Sequence, residues 1–301
     1  MATSDLLLRG PRHRPLKRET LPAGQYSPLL SLALISPLLA LLGLAFIYPV
    51  GQLLARSFFV PDFQFSEYLK IFDEPLYLRV LWRTIKLASI VTAFCLVLGY
   101  PVAYAIARAR RRWSTIAMAC VLVPLWTSVL VRSYAWIILL QRNGIINTAL
   151  MDIGITSGPL RLIYTEGAVV VAMTHVLLPF MILPIFASLR SIPNELSQAA
   201  HNLGASSWTA FLRVTLPLSL PGVFAGSLMT FIVALGFYIT PALVGGPSTL
   251  LMATLIGQQM TVLLDWPFAG ALSALLLVTT LTLAGIARKM FAINRGFANA
   301  D

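Results

Sequence analysis

The feature that most constrains this chain is a series of long apolar stretches separated by short polar ones. A helix that crosses the hydrocarbon core of a bilayer needs roughly 20 mostly apolar residues. Six stretches meet this requirement, at residues 29–55, 85–107, 114–139, 168–189, 218–244 and 268–287. A seventh, 250–264, lies between Pro247 and Pro267 and is too short to span, so it predicts an interfacial or re-entrant helix. We therefore predict an all-α polytopic membrane protein with six transmembrane helices.

The charged residues are few and unevenly placed. Only 11% of the residues are charged, whereas soluble domains carry roughly 25%. About 14 Lys and Arg residues lie on one predicted side of the membrane, against about seven on the other. The more basic side comprises the tail 1–28, the cluster 108–112, the loop 190–217 between the fourth and fifth spans, and the tail 288–301. The positive-inside rule places this side, and therefore both termini of the transmembrane domain 29–287, in the cytoplasm.

The acidic residues fall on the opposite, outer side. These are Asp62, Glu67, Asp73, Glu74, Asp152, Glu166 and Asp265. Together they would give the outer loops a mildly attractive field for a cation. The net charge of +11 does not argue for a nucleic-acid partner, because the basic residues form loop clusters rather than a binding stripe.

Features of proton-coupled carriers and of enzymes are missing from the sequence. No Asp or Glu lies within a predicted span, whereas proton-coupled carriers usually keep ionisable groups at membrane depth. Arg132 lies near the outer end of the third span, where its side chain can snorkel, and His175 fits either a packing or a pathway role. No GxxxxGK[ST], HExxH or GxSxG motif occurs. These absences disfavour a carrier or channel acting alone and a membrane enzyme, and we expect no catalytic, metal or cofactor site in the chain.

The loop 190–217 predicts two short helices on the cytoplasmic side. Pro193 suits the first turn of a helix, since its missing N–H has no intrahelical partner there. An apolar stripe follows with i, i+3, i+4, i+7 spacing, formed by Leu196, Ala199, Ala200 and Leu203. Gly204 occupies the position of a left-handed C-terminal cap, and Ser206 can cap the second helix. The alanines would let a docking partner approach closely; the alternative is a re-entry loop packed beneath the bundle.

This loop resembles the cytoplasmic EAA loop of permease subunits in ATP-binding-cassette importers. The family pattern is Glu-Ala-Ala, three residues, a glycine, then a spacer and Leu-Pro. Here it stands as Gln198, Ala199, Ala200, Gly204, Leu216 and Pro217. Gln198 replaces the usual Glu and removes one negative charge, although Glu195 lies nearly one turn away. In the family this loop forms the helix that sits in a groove of the ATPase. The resemblance thus implies a coupling role for Glu195, Gln198, Ala199, Ala200, Gly204 and Pro217.

Other stretches resemble the spermidine/putrescine-type branch of the same family. They are residues 98–105, 124–128, 132–136, 142–147 and 237–247. The resemblance implies the type I importer permease fold in a bacterial inner membrane and a second, related permease subunit. It also implies a pair of ATPase subunits that bind ATP and Mg, and a periplasmic or lipid-anchored substrate-binding protein. The implied substrates are polyamines, with opines or other small amino-acid-like organic acids as the alternative.

Aromatic and hydroxyl groups of the third and fifth spans are candidates for the substrate route, because aromatic faces attract amine cations. Thr127 and Tyr134 are seven residues apart, which would put them on one face of a continuous helix. Pro241 is predicted to kink the fifth span between flanking polar groups. The full candidate set is Trp126, Thr127, Arg132, Tyr134, Trp136, His175, Tyr238 and Thr240. The alternative is ordinary packing or interfacial anchoring. Because a cation route should avoid a fixed positive charge, we expect Arg132 to point toward a carbonyl or the membrane interface.

Gly222 and Gly226 form a GxxxG pair near the start of the fifth span. Glycines at this spacing remove side chains from one strip of a helix and let a second helix approach closely. We therefore predict a close helix contact at this point.

Overall fold

The computed structural model describes residues 28–59 and 63–298. Within these residues the regular structure is helical, apart from an isolated β-bridge between Phe59 and Phe63. The predicted tail 1–28 lies outside the described residues except for its last residue, and so does Asp62. The chain divides into two compact units after Gly51.

The described part of the first unit is one apolar helical stretch. Helix α1 comprises Pro28–Leu42, a single π-helical turn follows at Gly43–Ile47, and α2 comprises Tyr48–Arg56. The stretch Leu29–Arg56 is long and apolar enough to cross a membrane. It corresponds to the first predicted span, 29–55.

The second unit contains the other predicted spans. Its helices are α3 Ser66–Asp73, α4 Pro75–Arg108, α5 Arg111–Trp126, α6 Val129–Leu140, α7 Ile145–Asp152, α8 Glu166–Ser191, α9 Asn194–Asn202, α10 Ser207–Ala210, α11 Leu216–Leu235, α12 Met252–Thr261 and α13 Trp266–Ala298. Two further π-helical turns lie at Phe211–Thr215 and Pro241–Gly245. Among the described residues five helical stretches could each cross a membrane, and a sixth span results if the bent pair α5 and α6–α7 is counted as one.

The third predicted span, 114–139, is divided between two helices. Helix α5 ends at Trp126, α6 begins at Val129, and the two directions differ by 95°. Pro124 cannot donate a backbone hydrogen bond in the last turn of α5, and Thr127 and Ser128, which follow the helix, have extended backbone. Thr127 therefore lies outside both helices. The prediction that it shares a helix face with Tyr134 is wrong.

The fifth predicted span, 218–244, also ends earlier than expected. Helix α11 stops at Leu235, and Gly236 follows as its C-cap. Pro241 begins the separate turn Pro241–Gly245, a position where the missing N–H costs no helical hydrogen bond. The predicted kink at this proline is wrong, because the helix has already ended.

The centre of the second unit is formed by α4, α8 and α11. Their buried side chains make one apolar cluster that includes Val91, Cys95, Met173, Leu177, Met181, Ile182, Ile185 and Leu235. Where α8 and α11 cross, a Cβ atom built on Gly222 would lie 2.6 Å from the carbonyl oxygen of Pro184. A Cβ on Gly226 would lie 2.9 Å from the carbonyl oxygen of Met181. The close helix contact predicted from the GxxxG spacing is therefore confirmed.

The N-terminal end of α4 extends beyond the predicted second span and contacts the start of α8. The helix begins at Pro75 rather than at residue 85. Arg83 Nε lies 3.4 Å, and Lys86 Nζ 3.3 Å, from carboxylate oxygens of Glu166. Two predicted outer acids are therefore neutralised locally, since Glu67 also pairs with Lys70 at 2.8 Å. The attractive field expected for a cation is correspondingly weaker.

The stretch 250–264 forms the short helix α12, as its length suggested. Met252 and Leu255 pack with Phe268 and Leu272 of α13 in a second apolar cluster. A hydrogen bond also ties its first residue to the bundle, because the Met252 N–H donates to Thr84 Oγ1 of α4 at 2.9 Å. Helix α13 itself continues to Ala298, past the predicted end of the last span at residue 287.

Candidate coupling surface and substrate route

Helix α9 is the predicted first helix of the loop 190–217, and its end is set by Gly204. Pro193 precedes it as N-cap, and the helix runs from Asn194 to Asn202. Gly204 has φ +85°, a left-handed conformation that glycine adopts at little cost. The N–H of Ala205 then donates to the carbonyl of Ala200 at 3.0 Å, which closes the helix end. The predicted left-handed cap is confirmed.

The second short helix is capped as predicted and anchored to α4. Ser206 Oγ accepts the N–H of Thr209 at 3.2 Å. After α10 the chain passes through the π-helical turn into α11, so that Ser207–Leu235 is one helical stretch. The ring of Phe211 in that turn makes edge contacts with Tyr104 and Tyr100, with centroids 5.3 and 6.1 Å apart. Pro217 lies in the first turn of α11.

The apolar stripe of α9 is uncovered in the part of the chain that the structure describes. Leu203 is 89% exposed and Leu196 is 44% exposed. Glu195, Gln198 and Ala199 are exposed as well, whereas Ala200 is half-buried. A loop that merely packed beneath the bundle would have buried these side chains. An exposed apolar stripe flanked by polar groups is instead typical of a surface that meets another protein.

Four of the eight route candidates lie where α6, α8 and the turn Pro241–Gly245 meet. They are Arg132, Trp136, His175 and Thr240. Trp136 Nε1 donates to His175 Nδ1 at 3.3 Å. Thr240 is fully buried, and its Oγ1 lies 2.9 Å from Ser133 Oγ. Ser133 was absent from the candidates because nothing in the sequence around it indicates a partner 107 residues away.

Arg132 lies in the same region, and its charge is not compensated. The residue is 9% exposed, and its Nε and Nη1 atoms are buried with no hydrogen-bond partner among residues 28–59 and 63–298. The expectation that the guanidinium points toward a carbonyl or the interface therefore fails for these two atoms. A buried unpaired charge is costly, so we expect groups beyond the described residues to pair with it in the assembled protein.

The remaining candidates do not join this cluster. Trp126 is 86% exposed and Tyr134 is 55% exposed. Thr127 is exposed and donates its Oγ1 hydrogen to the Pro124 carbonyl at 2.9 Å. Tyr238 covers Gly257 of α12, where a Cβ would lie 2.6 Å from its ring, and borders a groove of about 530 Å³. The eight candidates thus form no single site within this chain.

The described residues also contain no group of three or more His, Cys, Asp or Glu side chains that could hold a metal ion. A series of long apolar helices, with the exposed short helix α9 between two of them, defines an integral membrane protein.

Comparison with known proteins identifies the family. Residues 96–291 match the family described as binding-protein-dependent transport system inner membrane component, and the chain belongs to this family. The chain is 36% identical to the spermidine/putrescine transport system permease protein PotB of Haemophilus influenzae over 72% of its length and 76% of that protein. The Escherichia coli PotB protein is also 36% identical, over 74% of this chain and 80% of the relative. The family is a transport component and not an enzyme.

Solved importer structures share the fold. The chain aligns with a bacterial transporter that imports the acidic polysaccharide alginate at a TM-score of 0.72, covering 87% of this chain and 94% of the other at 18% identity. The same TM-score applies to the alginate transporter in complex with an alginate pentasaccharide-bound periplasmic protein, at 19% identity. The predicted all-α importer permease fold is thereby confirmed.

Proposed function

We propose that this chain is a permease subunit of an ATP-driven importer for polyamines of the spermidine and putrescine kind. The observation that carries the substrate class is the 36% identity to the PotB permeases over almost three quarters of the chain. Membership of the binding-protein-dependent family supports the import direction and the need for a separate binding protein.

The proposed assembly contains a second, homologous permease subunit, a pair of ATP-binding-cassette ATPases and a periplasmic or lipid-anchored binding protein. ATP and Mg bind in the ATPases, which supply the energy for transport. A periplasmic protein sits on the alginate transporter that shares this fold. The exposed stripe of α9 supports the ATPase contact, because the small side chain of Ala199 and the apolar side chain of Leu203 are both exposed near the end of the helix.

The covalent connections of α9 explain how a push from the ATPase would reach the membrane. Helix α8 ends at Ser191, and only two residues separate it from α9. On the other side the stretch Ser207–Leu235 continues without a break into the centre of the bundle. A displacement of α9 would therefore move both α8 and α11, which cross at Gly222 and Gly226. His175 would move as well, because it belongs to α8. Alternating access would follow as rigid-body motion of packed helices.

The substrate route is proposed to use the exposed aromatic side chains rather than Arg132. Trp126, Tyr134 and Tyr238 offer π-faces that attract an ammonium group. The buried guanidinium would oppose a cation if it faced the route. The alternative, an importer of opines or similar organic acids, is favoured by the same unpaired guanidinium, because a carboxylate would satisfy both orphaned nitrogen atoms.

Substrate class and Arg132 are tested together by ATPase stimulation of the reconstituted importer with its binding protein. We expect spermidine and putrescine to stimulate hydrolysis in native protein, and Arg132→Gln to retain that stimulation within about threefold, less than the effect of one lost charge contact. Arg161→Gln, at an exposed arginine on the predicted outer side, is the matched control. The organic-acid proposal would replace the polyamine proposal if an anionic amino-acid derivative stimulates hydrolysis and polyamines do not. In that case the stimulation should be lost in Arg132→Gln and kept in Arg161→Gln.

Orientation is tested by labelling single cysteines from each side of the membrane, in a background without Cys95 and Cys120. We expect cysteine at positions 110 and 195 to react only from the cytoplasm, and at positions 152 and 265 only from outside, because of the Lys and Arg asymmetry. Labelling of position 195 from outside would rule out ATPase contact at α9. Copurification of an ATPase subunit from native membranes separates the importer from a carrier or channel acting alone.

A further inference from the structure

Two adjacent recesses lie at the end of α4 that the proposed orientation places in the cytoplasm. The first is a polar cavity of about 280 Å³ beneath the start of α9. It is lined by residues of α4, α8, α9 and the π-helical turn, among them Arg108, Arg190, Asn194, Ser197 and Thr215. None of the described residues that line it is acidic.

Each of the two guanidinium groups that line this cavity lies over an aromatic ring. Arg108 stacks over the Tyr104 ring at 5.2 Å from its centroid and donates from Nη2 to Thr215 Oγ1 at 3.4 Å. Arg190 lies over the Phe186 ring at 6.0 Å. Stacking uses the flat face of a guanidinium and leaves N–H groups on its edge for a planar or tetrahedral anion. Among the described side chains neither arginine has a carboxylate partner.

The second recess is an open apolar groove of about 610 Å³ beside the cavity. Its walls are the side chains of Tyr100, Pro101, Tyr104, Ser207, Trp208 and Phe211. Tyr104 lines both recesses, so the groove and the cavity adjoin. Trp208 is 67% exposed, and tryptophan is enriched at the level of lipid headgroups.

We propose that the two recesses form one binding site for an anionic phospholipid of the inner leaflet. The phosphate group binds Arg108 and Arg190, and the apolar part of the lipid lies along the aromatic groove. Arginine is suited to bidentate phosphate contacts, and basic pockets between transmembrane helices on the cytoplasmic side bind phospholipid headgroups. The groove distinguishes a lipid from free phosphate, which has no apolar part. The site rests on the proposed cytoplasmic orientation of α9.

A bound headgroup would connect the bundle to the coupling helix. Asn194 and Ser197 belong to the first turns of α9, whereas Arg108 and Arg190 end α4 and α8. A phosphate among them would join α9 to the ends of α4 and α8, which already pack against each other in the core of the second unit. We therefore expect the ATPase activity of the assembled importer to depend on anionic lipid through these two arginines.

The test uses the complete importer in nanodiscs of phosphatidylcholine alone or mixed with phosphatidylglycerol. Native mass spectrometry counts the phosphatidylglycerol that each purified complex retains, and ATPase stimulation by the loaded binding protein is measured in parallel. We expect Arg108→Gln/Arg190→Gln to bind phosphatidylglycerol about 25-fold more weakly, roughly fivefold for each lost charge. Trp208→Ala should also lose retained lipid. Arg108→Lys, which keeps the charge, should retain part of it and show that the site still folds.

Arg288→Gln/Lys289→Gln is the matched control, because it removes two exposed charges from α13 outside both recesses. Equal lipid loss in this variant would overturn the proposal in favour of general surface charge. Activation by inorganic phosphate in phosphatidylcholine nanodiscs would overturn the lipid assignment, and loss of the ATPase subunit instead of lipid would assign the cavity to that partner. The same assay measures whether polyamines stimulate the ATPase activity of the native importer. A lack of stimulation would contradict the proposed function, whereas the retained lipid tests the binding site independently.

Discussion

Replacing Gly222 with valine is expected to remove most of the folded protein from the membrane fraction. A Cβ at this position would lie 2.6 Å from the Pro184 carbonyl oxygen and 3.1 Å from the Ile185 Cα, and would collide with the Ser188 Cβ. Two of these atoms belong to the backbone of α8, so neither can move without separating the helices. Overpacking costs roughly 1–3 kcal/mol in well-packed cores. We expect about 3 kcal/mol here, measured as the shift in unfolding of the purified complex by heat or denaturant.

Gly285→Val is the control for this substitution. Gly285 also lies in a membrane-spanning helix, but a Cβ there would meet no atom within 4 Å. The two variants share the change in side-chain volume and backbone freedom, so their difference isolates the helix contact. A second check is Gly222→Ala combined with Ser188→Gly. This pair removes one of the three contacts, and we expect only partial recovery because the Pro184 carbonyl remains. Normal stability of Gly222→Val would mean that α8 and α11 pack differently.

Replacing Ala200 with aspartate is expected to disconnect the permease from its ATPase. Ala200 belongs to the stripe that includes the 89% exposed Leu203. A carboxylate on this stripe would have to be desolvated on docking, at roughly 1–3 kcal/mol without a partner. We expect the variant to insert normally, to recover at least tenfold less ATPase on copurification, and to lose transport.

Asn202→Asp is the matched control for the coupling variant. It adds the same negative charge to the same helix at a residue two positions on, about 200° around the axis from Ala200. Asn202 is exposed, and we expect copurification and transport to stay near native levels. If Ala200→Asp assembles and transports at full rate, the apolar stripe of α9 is not the docking surface. If both variants fail equally, added charge rather than the stripe accounts for the loss.

Much of this protein followed from signals that act over a few residues. Stretches of apolar residues predicted the membrane-spanning helices, because a single long apolar segment can satisfy its backbone hydrogen bonds in a bilayer by forming a helix. The left-handed cap at Gly204 and the side-chain cap at Ser206 were predictable because each depends on a single residue and its near neighbours. The spacing of Gly222 and Gly226 indicated a close contact without naming the partner helix.

Only the tertiary structure decided the arrangement of the remaining features. The 95° break after Trp126 and the end of α11 at Leu235 depend on packing, since the apolar sequence continues through both. The pairing of Ser133 with Thr240 joins residues 107 positions apart. Hydropathy predicts that a residue leaves water but not which side chain it contacts. The sequence therefore could not predict that two nitrogen atoms of Arg132 are buried without a hydrogen-bond partner among the described residues. The same reason applies to the arginine cavity and the aromatic groove, which adjoin at Tyr104 because α8 and α9 on one side and α10 on the other pack beside α4.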